Sequence, residues 1–423
     1  MYELLQYRSD KYGFELGSRP AEMAPQNRFT VVIGRNGTGK SQLLRHIALS
    51  WTSSRETSRL RSPRAQLPSQ VLAVTNLVSD VFPLTSKQTA AEYPYKYLGL
   101  RKATNSVNTG ALYDSTTQFI ASCLTDPRRT ELLTPVLSTL EFFDCALQFR
   151  IPVSSAEPSP SLEKLALQLE AVGYRLGHRE IRDLHARLSS FSEVVASKGQ
   201  SNLPQRDPRQ ILRELTLDFD VPAAELLRYL KRSSLVTAEV LVASKSGWIP
   251  IRRLSTGQLL LLSTVARIAA SIEDNSLVLI DEPEVGLHPT WQSDFIPTLQ
   301  RTISGKSGSH FIIATHSPHV VSDSSDVLVP ALKWGEFEQF DEPFYGRSIE
   351  NLLYRVFEAR VSGNVMVDED LSILLKFVSS ANGGVERSDA EGALHRLRRI
   401  AGPDTKQLNA MLAQASDLMG AQS

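Results

Sequence analysis

The sequence predicts an α/β fold: a mixed sheet built around a phosphate-binding loop, with a helical insert mid-chain and a helical C-terminal region. Three observations predict it. The apolar run at 29–33 (FTVVI) feeds Gly34-Arg35-Asn36-Gly37-Thr38-Gly39-Lys40-Ser41, a complete Walker A loop. A second run at 277–280 (LVLI) closes on the paired carboxylates Asp281 and Glu282. A third at 311–315 (FIIAT) ends at His316.

Taken in order, residues 1–33 read as short strands leading into the loop, and 42–51 as a helix with Leu43, Leu44, Ile47 and Ala48 on its apolar face. Residues 52–70 are Ser-, Arg- and Pro-rich and read as a loop, in which Arg55, Arg59, Arg61 and Arg64 either touch phosphates or are solvated. Residues 71–74 (VLAV) form a strand. About 180 residues then separate that strand from Leu254-Ser255-Thr256-Gly257-Gln258. Pro/Ser breaks at 152–160 and 197–208 bound a set of amphipathic helices with no sustained heptad. Residues 236–243 and 248–251 read as a hairpin, followed by helices over 258–272 and near 290–303. Beyond 331, an aromatic and acidic loop (WGEFEQFDEPFYG) precedes polar amphipathic helices. The domain boundaries expected are 1–150 for a first lobe, 151–234 for the helical insert, 235–330 for a second lobe and 331–423 for the helical C-terminal region.

The 423 residues carry 46 Lys plus Arg against 46 Asp plus Glu, so any attraction to nucleic acid must be local. Two cysteines argue against a disulfide framework, and a reducing, cytoplasmic setting is the expectation. The polar start lacks the apolar core of a signal peptide, and no run is long enough to span a bilayer, so no membrane partner is expected.

The chemistry concentrates in few residues. Asn36, Gly37, Thr38 and Gly39 turn backbone N–H groups toward phosphates, and Gln42 follows in the first helical turn. Lys40 reaches the β- and γ-phosphates of ATP, and Ser41 holds Mg²⁺ together with Asp281. Glu282 would polarise the attacking water, unless the adjacent acids are simply solvated at the strand end, and His316 fits either a sensor of the γ-phosphate or a buried structural histidine. Ser255, Gly257 and Gln258 open a helix, a pattern that serves equally as a simple cap or as a γ-phosphate contact presented from outside. Placed 19 residues before the run at 277, the second role is favoured. His288 and His319 lack the spacing of a metal site. Asp368 and Asp370 form a DxD pair, which a metal nuclease would use; their place at a helix start fits the helix dipole instead.

Together GRNGTGKS, LSTGQ, LVLIDEPEVGLHP and IIATHSP resemble the ABC-type ATPases of the RecF/SMC/OLD group, over residues 28–50 and 250–320. The resemblance implies an ABC-type P-loop ATPase head that binds ATP and Mg²⁺ and pairs with a second head, as a homodimer or higher oligomer. Thr256 replaces the usual glycine of the signature, and a glutamine of the Q-loop kind has no clear place beyond the segment 74–82. Three further stretches, at 79–83 (SDVFP), 95–99 (YKYLG) and 344–350 (FYGRSIE), are similar to PtuA-type ATPases of the Septu system and to retron-associated ATPases. That similarity implies an anti-phage complex with a separate nuclease effector, often of the HNH type, and possible DNA or RNA contact. A RecF-like repair ATPase, a transporter ATPase and a non-hydrolysing scaffold are the alternatives. The neutral charge disfavours the first, the large insert the second, and intact Lys40, Asp281 and Glu282 the third.

Overall fold

The computed structural model describes residues 2–17, 27–52, 60–61, 67–84, 95–101, 109–150, 237–321, 324, 326–331, 333–340, 365–379, 386–400 and 406–421, with scattered positions between 167 and 227. In chain order these form β1 (Gln6–Arg8), β2 (Gly13–Glu15), β3 (Arg28–Ile33), α1 (Lys40–Leu49), β4 (Leu60–Arg61), β5 (Val71–Thr75) and β6 (Tyr95–Tyr97). Next come α2 (Thr109–Thr125), α3 (Pro127–Glu131), α4 (Thr134–Thr139), β7 (Asp144–Arg150), β8 (Thr237–Ser244) and β9 (Gly247–Pro250). The second half holds α5 (Thr256–Ser271), β10 (Leu277–Asp281), α6 (Pro289–Ser293), α7 (Phe295–Thr302), β11 (His310–Thr315), β12 (Asp326–Pro330) and β13 (Glu336–Gln339). Three helices close the chain: α8 (Val365–Ser379), α9 (Arg387–Ile400) and α10 (Lys406–Ala421).

One mixed sheet runs in the order β4-β1-β2-β13-β12-β3-β11-β10-β5-β6, with β12, β3, β11, β10, β5 and β6 mutually parallel. The middle strands are apolar on both faces because both faces are covered. Alternation then divides their residues. Phe29, Val31 and Ile33 of β3 join Val278, Ile280, Phe311 and Ile313 in a core shared with α2, α5 and α7. Val32, Leu277, Leu279, Ile312 and Ala314 join Leu43, Leu44 and Ile47 of α1 on the other face. Strand order and register bring three C-terminal ends to one edge: Asp281 pairs with Ala314, and Thr315 with Ile33. In open parallel sheets this edge is where ligands bind.

A smaller antiparallel sheet, β7-β8-β9, receives the segment on either side of the predicted insert, since Arg150 pairs with Thr237. The chain thus leaves at 151 and returns to the same ladder. Most of the insert helices, Arg55, Arg59 and Arg64, and the stretch at 344–350 lie outside the described residues.

Two expectations are corrected. The aromatic, acidic segment after 331 contains β13, which pairs with β12 and β2 inside the large sheet. Local propensity does not announce it, because buried Phe337 stands between Glu336 and Glu338 and the strand is held by its two neighbours. The helix near 290–303 is two helices meeting at Asp294; Pro297, which has no N–H to donate, sits in the first turn of α7, where that donor is not needed. The helices α8, α9 and α10 share a separate core of Leu374, Ala390, Ala393, Leu397, Leu412 and Ala415.

Candidate functional site

The loop after β3 takes its shape from glycine. Gly37 and Gly39 have φ of 83° and 93°, a region side chains rarely enter. At Gly39 a Cβ would also stand 3.1 Å from the Tyr12 ring. Thr38 Oγ1 donates to the Arg35 carbonyl at 2.8 Å, which tightens the turn. Asn36 and Gly37 are exposed at its tip. Lys40 opens α1 and is only 4% exposed. Its Nζ donates to the carbonyls of Gly34 at 2.8 Å and Arg35 at 3.1 Å, so the ammonium lies along the inside of the loop. Burial lowers its pKa, an effect opposed by Glu282, Glu284 and Asp281.

Ser41 donates from Oγ to Asp281 Oδ1 at 2.9 Å, which joins the Walker A helix to the end of β10. Asp281 is 1% exposed, and burial raises its pKa to about 7 despite that hydrogen bond. Hydroxyl and carboxylate oxygens side by side form a hard donor set that fits Mg²⁺.

Glu282 has φ of 49°, the left-handed region that costs a non-glycine residue roughly 1 kcal/mol. Its N–H still donates to Ala314 O at 2.9 Å, so the ladder continues while the side chain is turned off the strand. Its Oε2 meets His316 Nδ1 in a close contact. Burial, then Glu284, raises the Glu282 pKa. His316 is pushed up to about 9, first by its hydrogen bond to Glu284.

The signature residues stand apart from this cluster in their bonding. Ser255 caps α5: its Oγ accepts from Gln258 N at 3.2 Å, and Gln258 Oε1 accepts from Ser255 N at 2.9 Å. The structure shows the capping reading of LSTGQ, in which the serine oxygen accepts and the hydroxyl hydrogen takes no part. A Cβ on Gly257 would lie 2.7 Å from Gly286 O and 3.1 Å from Trp291, so the signature packs on the loop that follows β10.

Several residues with assigned alternatives resolve into structure. His288 caps α6. His319 stands 3.5 Å from Ser293 Oγ. Asp370 accepts from Arg396 Nε at 2.9 Å and Nη2 at 2.7 Å and is buried, whereas Asp368 is exposed in the first turn of α8. The DxD thus serves a helix start and an interhelical ion pair. In the segment 74–82, Asn76 hydrogen-bonds Thr264 at 2.9 Å and also meets Arg267, which is fully buried. The stretches 79–83 and 95–99 meet each other, with Tyr97 OH donating to Asp80 at 2.6 Å.

Two features carry no role in the sequence reading. Tyr12, in the turn between β1 and β2, and Trp334, just before β13, stand 5.5 Å apart beside the phosphate loop. With Gln42, Arg45 and His46 of α1 they line a cavity of about 380 Å³. Gln42 therefore faces this cavity, next to Arg45. The second feature is Glu284, whose carboxylate connects the end of β10 to the residues after β11.

A family model described as "AAA domain, putative AbiEii toxin, Type IV TA system" matches residues 149–322, which include β10 and His316. The match does not reach the loop at 34–41, and it makes residues 149–322 similar to an AAA-type ATPase domain. It is similar to Protein ea59 of Escherichia phage lambda, 44% identical over 71 residues, or 17% of this chain and 13% of that protein. It is also similar to the Retron Ec83 probable ATPase of Escherichia coli, 29% identical over 109 residues, or 23% of this chain and 20% of that one. The matched stretches thus span a fifth or less of these relatives' lengths. Among solved structures, it is similar to an inward-facing putative metal-chelate type ABC transporter at 14% identity, covering 84% and 88% of the two chains with a TM-score of 0.30. The Smc head of Pyrococcus furiosus bound to the C-terminal domain of ScpA gives 13% identity, 80% and 96% coverage and a TM-score of 0.30. At those scores the architecture rests on the strand order itself. Among the described residues no helix is long and apolar enough to cross a membrane.

Proposed function

We propose that this chain is an ATP-binding and ATP-hydrolysing head that pairs with a second head and controls a separate nuclease effector in an anti-phage complex. One observation carries the ATPase part: Ser41, Asp281, Glu282 and His316 converge beside Lys40 at one sheet edge. Lys40 exchanges the Gly34 and Arg35 carbonyls for phosphate oxygens, which are stronger acceptors for an ammonium. Ser41 and Asp281 are the residues that would hold Mg²⁺, and the ion would supply neutralisation of phosphate charge. Glu282, turned off the strand by its left-handed backbone, orients the attacking water. His316 is anchored through Nδ1, which leaves Nε2 to face the γ-phosphate. The aromatic cavity of Tyr12 and Trp334 takes the base. Ser255 of the paired head supplies the outer phosphate contact.

The defence assignment is supported by the similarity to a retron ATPase and by that to a domain family named for a toxin system. An HNH-type nuclease is the effector favoured, with DNA or RNA as the material it would act on. Steady-state ATP hydrolysis by the purified chain tests the enzymatic reading. Wild type should turn over ATP. Lys40→Ala should lose binding, and Glu282→Gln should bind without turnover. Equal turnover by all three would sink the assignment.

A further inference from the structure

Glu284 is buried, 4% exposed, and is not needed for any step above. Its Oε1 is the meeting point of the segment that carries His316. It accepts from His316 N at 2.7 Å, from Ser317 N at 3.2 Å and from Thr315 Oγ1, and it lies 3.0 Å from His316 Nδ1. Ser317 N also donates to Thr315 Oγ1 at 2.9 Å, and Ser317 Oγ to Gln292 Oε1 at 2.6 Å. The other carboxylate oxygen, Oε2, is buried with no hydrogen-bond partner among the described residues.

A neutral carbonyl would serve this place poorly. A charged oxygen accepts several donors at once, whereas an amide at the same position would bury an NH₂ group where Oε2 now lies without a partner. The two acids divide the work on His316. Glu282 touches only its ring, whereas Glu284 holds the backbone on both sides of it as well.

We propose that Glu284 is a positioning residue, whose carboxylate fixes residues 315–317 so that the His316 ring stands against Glu282 with Nε2 directed to the nucleotide. This rests on the ATPase reading of the site, and it assigns a task to the second Glu of the DEPE sequence. Glu284 acts through His316, since its bonds go to residues 315–317.

The test combines hydrogen exchange of the nucleotide-free protein with a kinetic double-mutant cycle. Glu284→Ala and Glu284→Gln should speed amide exchange across 315–321 while leaving β10, β3 and the phosphate loop protected. The volume-preserving Gln variant guards against a cavity effect in the Ala variant. In turnover, each should lower kcat about tenfold or more with the ATP KM within about twofold. Adding either change to His316→Ala should alter kcat less than about twofold, because both act through one group. Unchanged exchange at 315–317 would overturn the proposal whatever the turnover. So would wild-type kcat, or an equal further loss in the His316→Ala background. A wild type with no ATP turnover would instead remove the ATPase reading, and the exchange comparison would still decide whether Glu284 holds the segment.

Discussion

Replacing Asp281 by Asn should stabilise the nucleotide-free protein at neutral pH and destroy its response to Mg²⁺ and ATP. The carboxyl is 1% exposed, and its pKa rises from 3.8 to about 7, chiefly through burial. A raised folded pKa means that the stability linked to this group is full below 3.8 and is lost as pH climbs toward 7. With about 1.4 kcal/mol per unit, the folded state is penalised by about 2 kcal/mol at pH 5 and about 4 kcal/mol at pH 8. Asn has nearly the same shape, and its carbonyl can still accept from Ser41 Oγ. Asp281→Asn should therefore melt several degrees above wild type at pH 8, with the gap roughly halved at pH 5. Differential scanning calorimetry at both pH values reads this directly. Adding Mg²⁺ and ATP should reverse the order, since only wild type offers a charged ligand to the ion. An Asn variant that is no more stable at pH 8, or whose advantage grows toward pH 5, would refute the assignment of the cost to a buried charge.

Trp334→Ala should weaken ATP binding several-fold while sparing the affinity for inorganic triphosphate, because the ring lines the cavity proposed for the base and offers no donor in use by the phosphate loop; calorimetric titration of both ligands checks it. Gly257→Ala should cost about 1–3 kcal/mol, since the new methyl meets the Gly286 carbonyl at 2.7 Å and backbone must shift; urea denaturation measures the loss.

What could be read in the sequence follows from how local each signal is. The strands β3, β10 and β11 are continuous apolar runs with a glycine or a charged residue at the end, so their burial and their functional edge are written in adjacent residues. Lys40, Ser41, Asp281, Glu282 and His316 follow those strands, and strand order does the rest. The signature was ambiguous because a capping box and a phosphate contact use the same serine, and the structure retains the cap. β13 was hidden because its stability comes from β12 and β2, not from its own acidic sequence. Tyr12 and Trp334 lie more than 300 positions apart in the sequence, so their ring contact is a product of β2 pairing with β13. Glu284 is visible in the sequence only as part of the stretch LVLIDEPEVGLHP, and what it holds is seen in its bonds to residues 315–317.

The proposed function needs heads that close around ATP, and the mass of Glu282→Gln in solution reads that closure. Multi-angle light scattering of this variant should give a single-chain mass without nucleotide and at least twice that mass with Mg²⁺ and ATP, because the phosphate contacts persist when hydrolysis stops. A single-chain mass under both conditions, with bound ATP verified in the same peak, would contradict it.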